Sequence, residues 1–353
     1  MFVWFKEEKM FNSYLLEALP SVREPGVIIG PVADLMGQVY NMLFNLLHSN
    51  NSAGSLGLAI IIFTLIVKII LFPLMVKQQK SSFKMQQMQP ELNKIRAKYA
   101  GKTDQMSQQR MAFEMQELQK KNGASMVGGC LPMLIQLPIL YALFYLFQNA
   151  YVYVDAIGTN YTEIANAIIN IPVSLRMEVF QPFAQEFVDM YKNMEFIKDG
   201  FDMSQVNDVV MLVGNMKADD WNVVLQNLGS AGSELAPLLA TKNDIETFLT
   251  IPLVTKAGLG FPGIIIPIAA GITTWLQTKI MNMMNPQNMD PNNPAAAMTK
   301  TMLYTMPIMM GVFSITMPAG LGLYWTISNL FGIVQQVILT KYYRKKFERE
   351  AQQ

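Results

Sequence analysis

The chain is poor in the residues that most soluble enzymes depend on. It has one cysteine, Cys130, which excludes an internal disulfide and any Cys₄ or Cys₂His₂ metal site. It has one histidine, His48, so HExxH and His-rich metal sites are excluded as well. No GxxxxGK[ST] phosphate loop and no GxGxxG turn occur, and no metal, nucleotide or other cofactor is expected. Charge is scarce too. Charged residues make up 15% of the 353 positions, where a globular protein carries about a quarter. A net charge of +1 gives no bulk electrostatic reason to expect a nucleic-acid partner. The opening MFVWFKEEKMF lacks the basic segment, apolar core and cleavage site of a signal peptide, and it is not an Arg-rich transit sequence.

What is present instead is long uncharged runs. Hydrophobic residues make up 51% of the chain. Leu56–Val76, Met126–Phe147, Leu259–Leu276, Met302–Met317 and Leu321–Leu339 are almost free of charge. About 20 apolar residues cross the roughly 30 Å hydrocarbon layer as a helix. These blocks predict an all-α polytopic membrane protein with spans at 55–76, 126–149, 259–281, 301–318 and 319–340.

Charge distribution gives the expected orientation. Residues 1–54 carry three basic and five acidic side chains, and residues 77–125 carry ten and four. Residues 151–258 carry six basic and fourteen acidic, and the tail 341–353 five and two. Basic excess in short loops marks the cytoplasmic side. The N-terminal segment 1–54 and the acidic region 150–258 are therefore expected outside. The basic segment 77–125, the loop 282–300 and the tail 341–353 are expected inside. Five spans satisfy this alternation.

Each soluble segment has its own pattern. Between 27 and 47, Asp34, Gln38, Asn41 and Asn45 form one polar helical stripe, with Ile28, Val32, Leu35, Val39, Met42 and Leu46 largely opposite. That suits a helix lying in the outer interface, the other reading being a sixth crossing. In 77–125, Met85, Met88, Leu92, Ile95 and Tyr99 step 3-4-3-4 like one side of a two-helix seam. Asp104 is a candidate N-cap, and Met111, Met115 and Leu118 supply the second side before Asn122-Gly123 ends the helix. This predicts a basic antiparallel hairpin, with Lys84, Met88, Lys94, Arg96 and Arg110 as contact residues. Pro90 either kinks the first helix or marks its first turn. Residues 150–258 predict an acidic helical subdomain, with Phe180, Phe183, Phe187 and Tyr191 on one face and Ile245, Phe248 and Leu249 on another. The loop 282–300, with five Asn and three Pro, predicts a mobile connection.

Lys68 is the chemical outlier. It stands past the middle of the first span, where a lysine costs roughly 2.5–3.5 kcal/mol on translocon scales. No Asp or Glu occurs in any span, so a water-filled cavity is the expected environment, against snorkelling to the inner face. Thr64 lies one turn away on the same face. Gln136, Gln277, Tyr324, Ser328 and Asn329 offer further polar lining, although each could serve only to bond one helix to another. Fourteen of the 28 methionines fall in the two inner segments or the fourth span, suiting either adaptable apolar contacts or ordinary packing. Tyr151, Tyr153, Tyr342 and Tyr343 suit interfacial anchoring.

Three stretches carry a family resemblance: TLIVKIILFPLMVKQQKSSFKMQQMQPELNKIRAKYAGK, GGCLPMLIQLPILYALF and MPAGLGLYWTISNLFGIVQQ. Together they resemble the YidC/Oxa membrane protein insertases, over roughly half the chain and in the family's order. The resemblance implies five helices around a hydrophilic groove open to the cytoplasm and to lipid. It places the family's groove positions at Lys68, Thr64, Gln277, Tyr324 and Trp325, and its hairpin at 77–121. The family usually has Arg where Lys68 stands, so a bidentate guanidinium becomes a point charge. Cys130, inside GGCLP, is then a packing residue. Two departures are visible: no cysteine precedes Cys130 to carry a lipoprotein signal, and the long 150–258 region is unusual.

The function this implies is insertion without nucleotide hydrolysis, in the bacterial inner membrane. Short extracytoplasmic tails cross and hydrophobic segments pass into lipid. Implied partners are nascent membrane proteins, the bilayer, a Sec translocon, the ribosome and the signal recognition particle receptor. Two alternatives remain at this stage: an ion or solute transporter using Lys68, and a membrane scaffold binding partners through its acidic outer region.

Overall fold

In a computed structural model of the chain, residues 26, 29–48, 54–123, 131–194, 197, 200–284 and 295–352 are described. Among them the protein is almost wholly helical. In chain order the helices are α1 (Gly30–His48), α2 (Ser55–Gln87), α3 (Gln89–Lys98), α4 (Gln105–Lys121), α5 (Leu131–Gln148), α6 (Ala150–Tyr153), α7 (Asp155–Ile169), α8 (Val173–Tyr191), α9 (Val206–Asn215), α10 (Ala218–Leu228), α11 (Leu235–Glu246), α12 (Ile265–Met284), α13 (Ala295–Thr316) and α14 (Ala319–Gln352). The only sheet among the described residues is a hairpin of β1 (Thr247–Phe248) and β2 (Ile251–Pro252). The chain forms two compact units: residues 1–63, 139–266 and 314–323, and residues 64–138, 267–313 and 324–353.

The first unit is built on α7. Ile157, Tyr161, Ile164, Ala165 and Ile168 recur at helical spacing and are all buried. Around them pack α9, whose Val209–Val213 run is buried throughout, and α11. Each fully buried aliphatic or aromatic side chain is worth about 1.5–3 kcal/mol. On α8, Phe180, Phe187 and Tyr191 are buried as their spacing predicts, whereas Phe183 is only half-buried. Ile245, Phe248 and Leu249 do not share a helical face. α11 ends at Glu246, Phe248 lies in β1, and Leu249 occupies the hairpin loop. Leu249 and Thr250 have φ of 48° and 68°, as a two-residue hairpin loop with right-handed strand twist demands. Neither is glycine or asparagine, and the left-handed conformation costs roughly 1–2 kcal/mol per residue.

α1 shows three faces rather than two. Ala33, Met36, Gly37, Tyr40 and Phe44 are buried against the unit. The Tyr40 hydroxyl donates to Leu56 O at 3.0 Å, and its ring meets Phe63 and Phe147 edge-on. Gly37 is needed because a Cβ there would lie 2.4 Å from the Tyr153 ring. Leu35, Met42 and Leu46 form a separate exposed apolar stripe. The polar stripe lies between, and Asn41 bonds Asp155 through both its amide nitrogen and oxygen.

A strap, residues 253–258, joins β2 to the turn between α13 and α14. Leu253 O and Thr255 O accept from Gly320 N (2.8 Å) and Ala319 N (2.9 Å). Gly258 N and Ala257 N donate to Ile315 O (3.1 Å) and Met317 O (3.3 Å). These bonds satisfy groups that a helix start and a helix end otherwise leave unpaired.

In the second unit, α3 and α4 form the expected hairpin. Met88 and Leu92 are its buried centre, with Met85, Met115 and Leu118 packed on them. Pro90 sits in the first turn of α3, which resolves its two readings: α2 ends at Gln87 and a new helix begins. Asp104 caps α4, its carboxylate accepting from Ser107 N at 2.8 Å. α12 and α13 approach closely through PIxxG segments on both, Pro267–Gly271 and Pro307–Gly311. A Cβ on Gly271 would lie 3.4 Å from Pro307 O, and one on Gly311 3.5 Å from Pro267 O. The tail is not separate, since α14 runs on through it and packs Leu339 and Tyr343 against Phe83.

Each of the five apolar blocks contains a described helix. α2 is the described helix long and apolar enough to cross a membrane, and Ile135–Gln148 and Thr301–Thr316 are shorter apolar helices. Residues 259–264 precede α12 as turns rather than starting it. Of the loop expected at 282–300, residues 282–284 end α12 and 295–300 begin α13. Residues 285–294, like 1–25 and Cys130, lie outside the described residues.

Candidate functional site

Thr64, Lys68, Gln136, Gln277, Tyr324, Trp325 and Ser328 all belong to the second unit. Four helices supply them: α2, α5, α12 and α14. Thr64 is fully buried one turn before Lys68, which is half-buried. The neighbouring Leu65, Ile69, Ile70 and Phe72 are exposed, which leaves a greasy face beside the cation. Among the described residues the ion pairs are Lys98–Glu114 and Lys242–Glu246, so no described carboxylate holds Lys68.

The remaining candidates form two hydrogen-bonded groups that share α14. In the first, the Gln136 amide donates to the Tyr324 hydroxyl at 2.9 Å, and Ser328 bonds Tyr324 from one turn further on. Tyr324 is fully buried. In the second, Trp325 Nε1 donates to Thr274 Oγ1 at 2.9 Å. The Asn329 amide lies with its nitrogen 2.8 Å from Gln277 Oε1 and its oxygen 3.2 Å from Trp325 Nε1. The opposite orientation would set two carbonyl oxygens against each other. Gly332 gives Gln277 its place, since a Cβ there would lie 2.4 Å from the Gln277 amide nitrogen.

Thr273 and Thr274 are absent from the sequence reading of this site. Their hydroxyls donate to Ala269 O and Ala270 O, both at 2.7 Å, as threonines in apolar helices do. The signal available was spacing, because Thr273 and Thr274 stand four and three residues before Gln277 on one helix face.

The hairpin residues separate into two sets. Met88 is 5% exposed inside the α3–α4 seam, so it holds the hairpin together rather than offering a contact. Lys84 Nζ donates to Asn122 O at 3.1 Å and ties the end of α4 to α2. Arg96 bonds Asn93 at 3.0 Å. Lys94 and Arg110 are exposed, and so are Met106 and Phe113, two apolar contacts the sequence reading did not include. Glu114 accepts from Lys98 Nζ at 2.7 Å and from the Tyr99 hydroxyl at 2.8 Å. These bonds hold its carboxyl below the usual range and raise Lys98. Among the described residues no cluster of three His, Cys, Asp or Glu could hold a metal ion.

The polar groups of these apolar helices are joined in hydrogen-bonded sets, in the same unit as Lys68, a cation that no described carboxylate pairs. The family model described as 60Kd inner membrane protein matches residues 47–346. Membrane protein insertase YidC 2 of Bacillus anthracis is 29% identical over 304 residues, 86% of this chain and 77% of that protein. Membrane protein insertase YidC of Oceanobacillus iheyensis is 30% identical over 285 residues, 81% and 74% of the two chains. Membrane protein insertase YidC of Clostridium perfringens is 29% identical over 329 residues, 92% and 97%. With the family match covering most of its length, the chain belongs to the 60Kd inner membrane protein family, the YidC/Oxa family that its apolar segments resemble.

Proposed function

We propose that the protein is a membrane protein insertase of the bacterial inner membrane that works without nucleotide hydrolysis. Its five crossing helices are α2, α5, α12, α13 and α14, with the N-terminus outside and the C-terminus in the cytoplasm. The observation that carries this reading is the polar set Gln136, Tyr324, Ser328, Gln277, Trp325 and Asn329, in the same unit as Lys68 and on helices otherwise apolar. The relatives' names, membrane protein insertase, support it. The three faces of α1 support an outer interfacial position: one on protein, one apolar face for lipid and one polar face for water.

The α3–α4 hairpin receives a nascent apolar segment at the cytoplasmic side, where Lys94, Arg110, Met106 and Phe113 are exposed. The hydrated groove beside Lys68 admits the segment's short extracytoplasmic tail and lowers the dielectric barrier to its crossing. A negatively charged tail is drawn by Lys68 and by the membrane potential, worth about 2.3 kcal/mol per charge per 100 mV. Burial of apolar surface in lipid then drives release.

The test uses proteoliposomes containing only this protein and two single-span substrates, one with an acidic and one with a neutral tail. Protease protection is compared for wild type, Lys68→Arg and Lys68→Ala. Wild type and Arg insert both substrates, while Ala loses mainly the acidic one. Insertion no better than in empty liposomes for all three proteins sinks the reading.

A further inference from the structure

The acidic subdomain ends in a stretch unlike the rest of it. All fourteen carboxylates of residues 151–258 lie at or before Glu246, and none follows until after α12. Within 247–264 the only charge is Lys256, which is exposed. The same stretch holds three of the most exposed large apolar side chains described: Phe261 at 85%, Leu249 at 77% and Leu259 at 71%. Leu249 stands at a loop position where its backbone is left-handed, a conformation that glycine or asparagine adopts with less strain. The hairpin thus holds a leucine outward at a position that favours other residues.

The surroundings indicate what covers it. Phe248, next to the tip, lies on Gly54 and Gly57 at the start of α2; a Cβ on Gly57 would fall 2.1 Å from the Phe248 ring. Tyr40 of α1 bonds Leu56 on that same helix start, and α1 carries the exposed Leu35, Met42 and Leu46. Residues 259–264 run directly into α12. Each exposed segment is therefore tied, the hairpin through packing and the loop along the chain, to the end of a helix that enters the bilayer in the reading above. A lone exposed lysine among apolar side chains matches a lipid phosphate above acyl chains.

We propose that the hairpin tip at Leu249 and the loop Leu259–Phe261 form a lipid-binding foot that embeds in the outer leaflet, with Lys256 at the headgroup phosphates. It gives the acidic subdomain a second hold on the membrane besides its covalent connections. The proposal rests on the reading that α2 and α12 cross the bilayer.

The test places a nitroxide at Leu249→Cys and at Phe261→Cys in a Cys130→Ser background, in proteoliposomes of phosphatidylethanolamine and phosphatidylglycerol. Ile70→Cys, exposed on α2, reports the membrane reading itself, and Val223→Cys, exposed on α10, reports water. The foot predicts that labels at 249 and 261 behave like Ile70, collision with oxygen rising and broadening by an aqueous nickel chelate lost. Strong nickel broadening at both, with Ile70 still shielded, overturns the foot and leaves the crossing helices intact; the patch then fits a protein partner. Shielding of 249 and 261 from both reagents also overturns it. Nickel broadening at Ile70 instead brings down the membrane reading. Wild-type protein gives a second check that needs no substitution. A lipid with a photoactivatable group on its acyl chain labels peptides covering 247–264 if the foot exists. Labelling of α2 without labelling of those peptides overturns it.

Discussion

The same three side chains, a lysine, a glutamate and a tyrosine, meet twice in this protein, once in each unit. In the hairpin, Lys98 pairs with Glu114 at 2.7 Å, Tyr99 donates to the same carboxylate, and the ammonium lies 5.3 Å from the Tyr99 ring. In the acidic subdomain, Lys242 pairs with Glu246 at 2.7 Å, Tyr161 donates to that carboxylate at 2.6 Å, and the ammonium lies 4.9 Å from the Tyr161 ring. The geometry is nearly identical. What differs is water. The Lys98 and Glu114 side chains are 59% and 32% exposed, those of Lys242 and Glu246 7% and 5%. An exposed pair is worth about 0–1 kcal/mol, whereas breaking a buried one by removing a partner costs about 3–5 kcal/mol. Contact distance alone therefore says little about what a polar cluster contributes.

The sharpest way to break the comparison is Lys242→Ala, which strands the Glu246 charge in the core. Hydrogen exchange of α7 and α11 amides should accelerate by the equivalent of about 3–5 kcal/mol. A loss under about 1 kcal/mol would mean that the buried trio is no costlier to break than the exposed one. Tyr161→Phe comes next. It removes one bond to a buried carboxylate, at about 1.5–3 kcal/mol, and it should also change the pH profile. Burial, with Glu246 beside it, holds the Tyr161 hydroxyl far above its ordinary 10.0. The raised value contributes stability below pH 10.0 that is lost as the pH rises and the unfolded chain's tyrosine ionises. Alkaline titration of the wild type should loosen α7, and Tyr161→Phe should flatten that limb.

Lys98→Ala should change hairpin stability far less than Lys242→Ala changes the subdomain, the effect shrinking further as salt is added. The smallest effect expected is from pH on this exposed trio. Glu114's lowered carboxyl contributes stability above its unfolded 4.5 that is lost as the pH falls through its folded value. Lys98's raised ammonium contributes below 10.5 and is lost above its folded value. Protection of the α4 amides, taken relative to their intrinsic exchange rate at each pH, should therefore be greatest between those limits, and protection that falls off at neither end would deny the pair any role.

The two regions also differ in how plainly the sequence announces them. The hairpin is written in local signals: the Met88 and Leu92 seam, Pro90 in a first turn and Asp104 as a cap. Each works over three or four residues and needs no distant partner. In the subdomain, the single faces of α7 and α8 follow helical spacing, but Phe248 and Leu249 continue that spacing past Glu246 into a hairpin. A Leu-Thr loop with two left-handed residues carries none of the glycine or asparagine that marks such turns. The polar set on α5, α12 and α14 stands out in sequence because amide and phenol groups are rare in apolar runs. Thr273 and Thr274 do not, because a threonine that bonds its own helix looks the same whether or not Trp325 and Asn329 arrive from elsewhere.

The strap 253–258 meets the α13–α14 turn through main-chain amides and carbonyls. Exchanging its exposed side chain, Lys256, therefore leaves those four bonds standing, whereas Leu253 and Val254 are buried and register through the cavity they leave. Deleting an amide is another matter. Ala257→Pro erases the donor to Met317 O while adding little volume, so it tests the backbone itself. At its exposed positions a segment of this kind is free to drift in sequence while keeping its job.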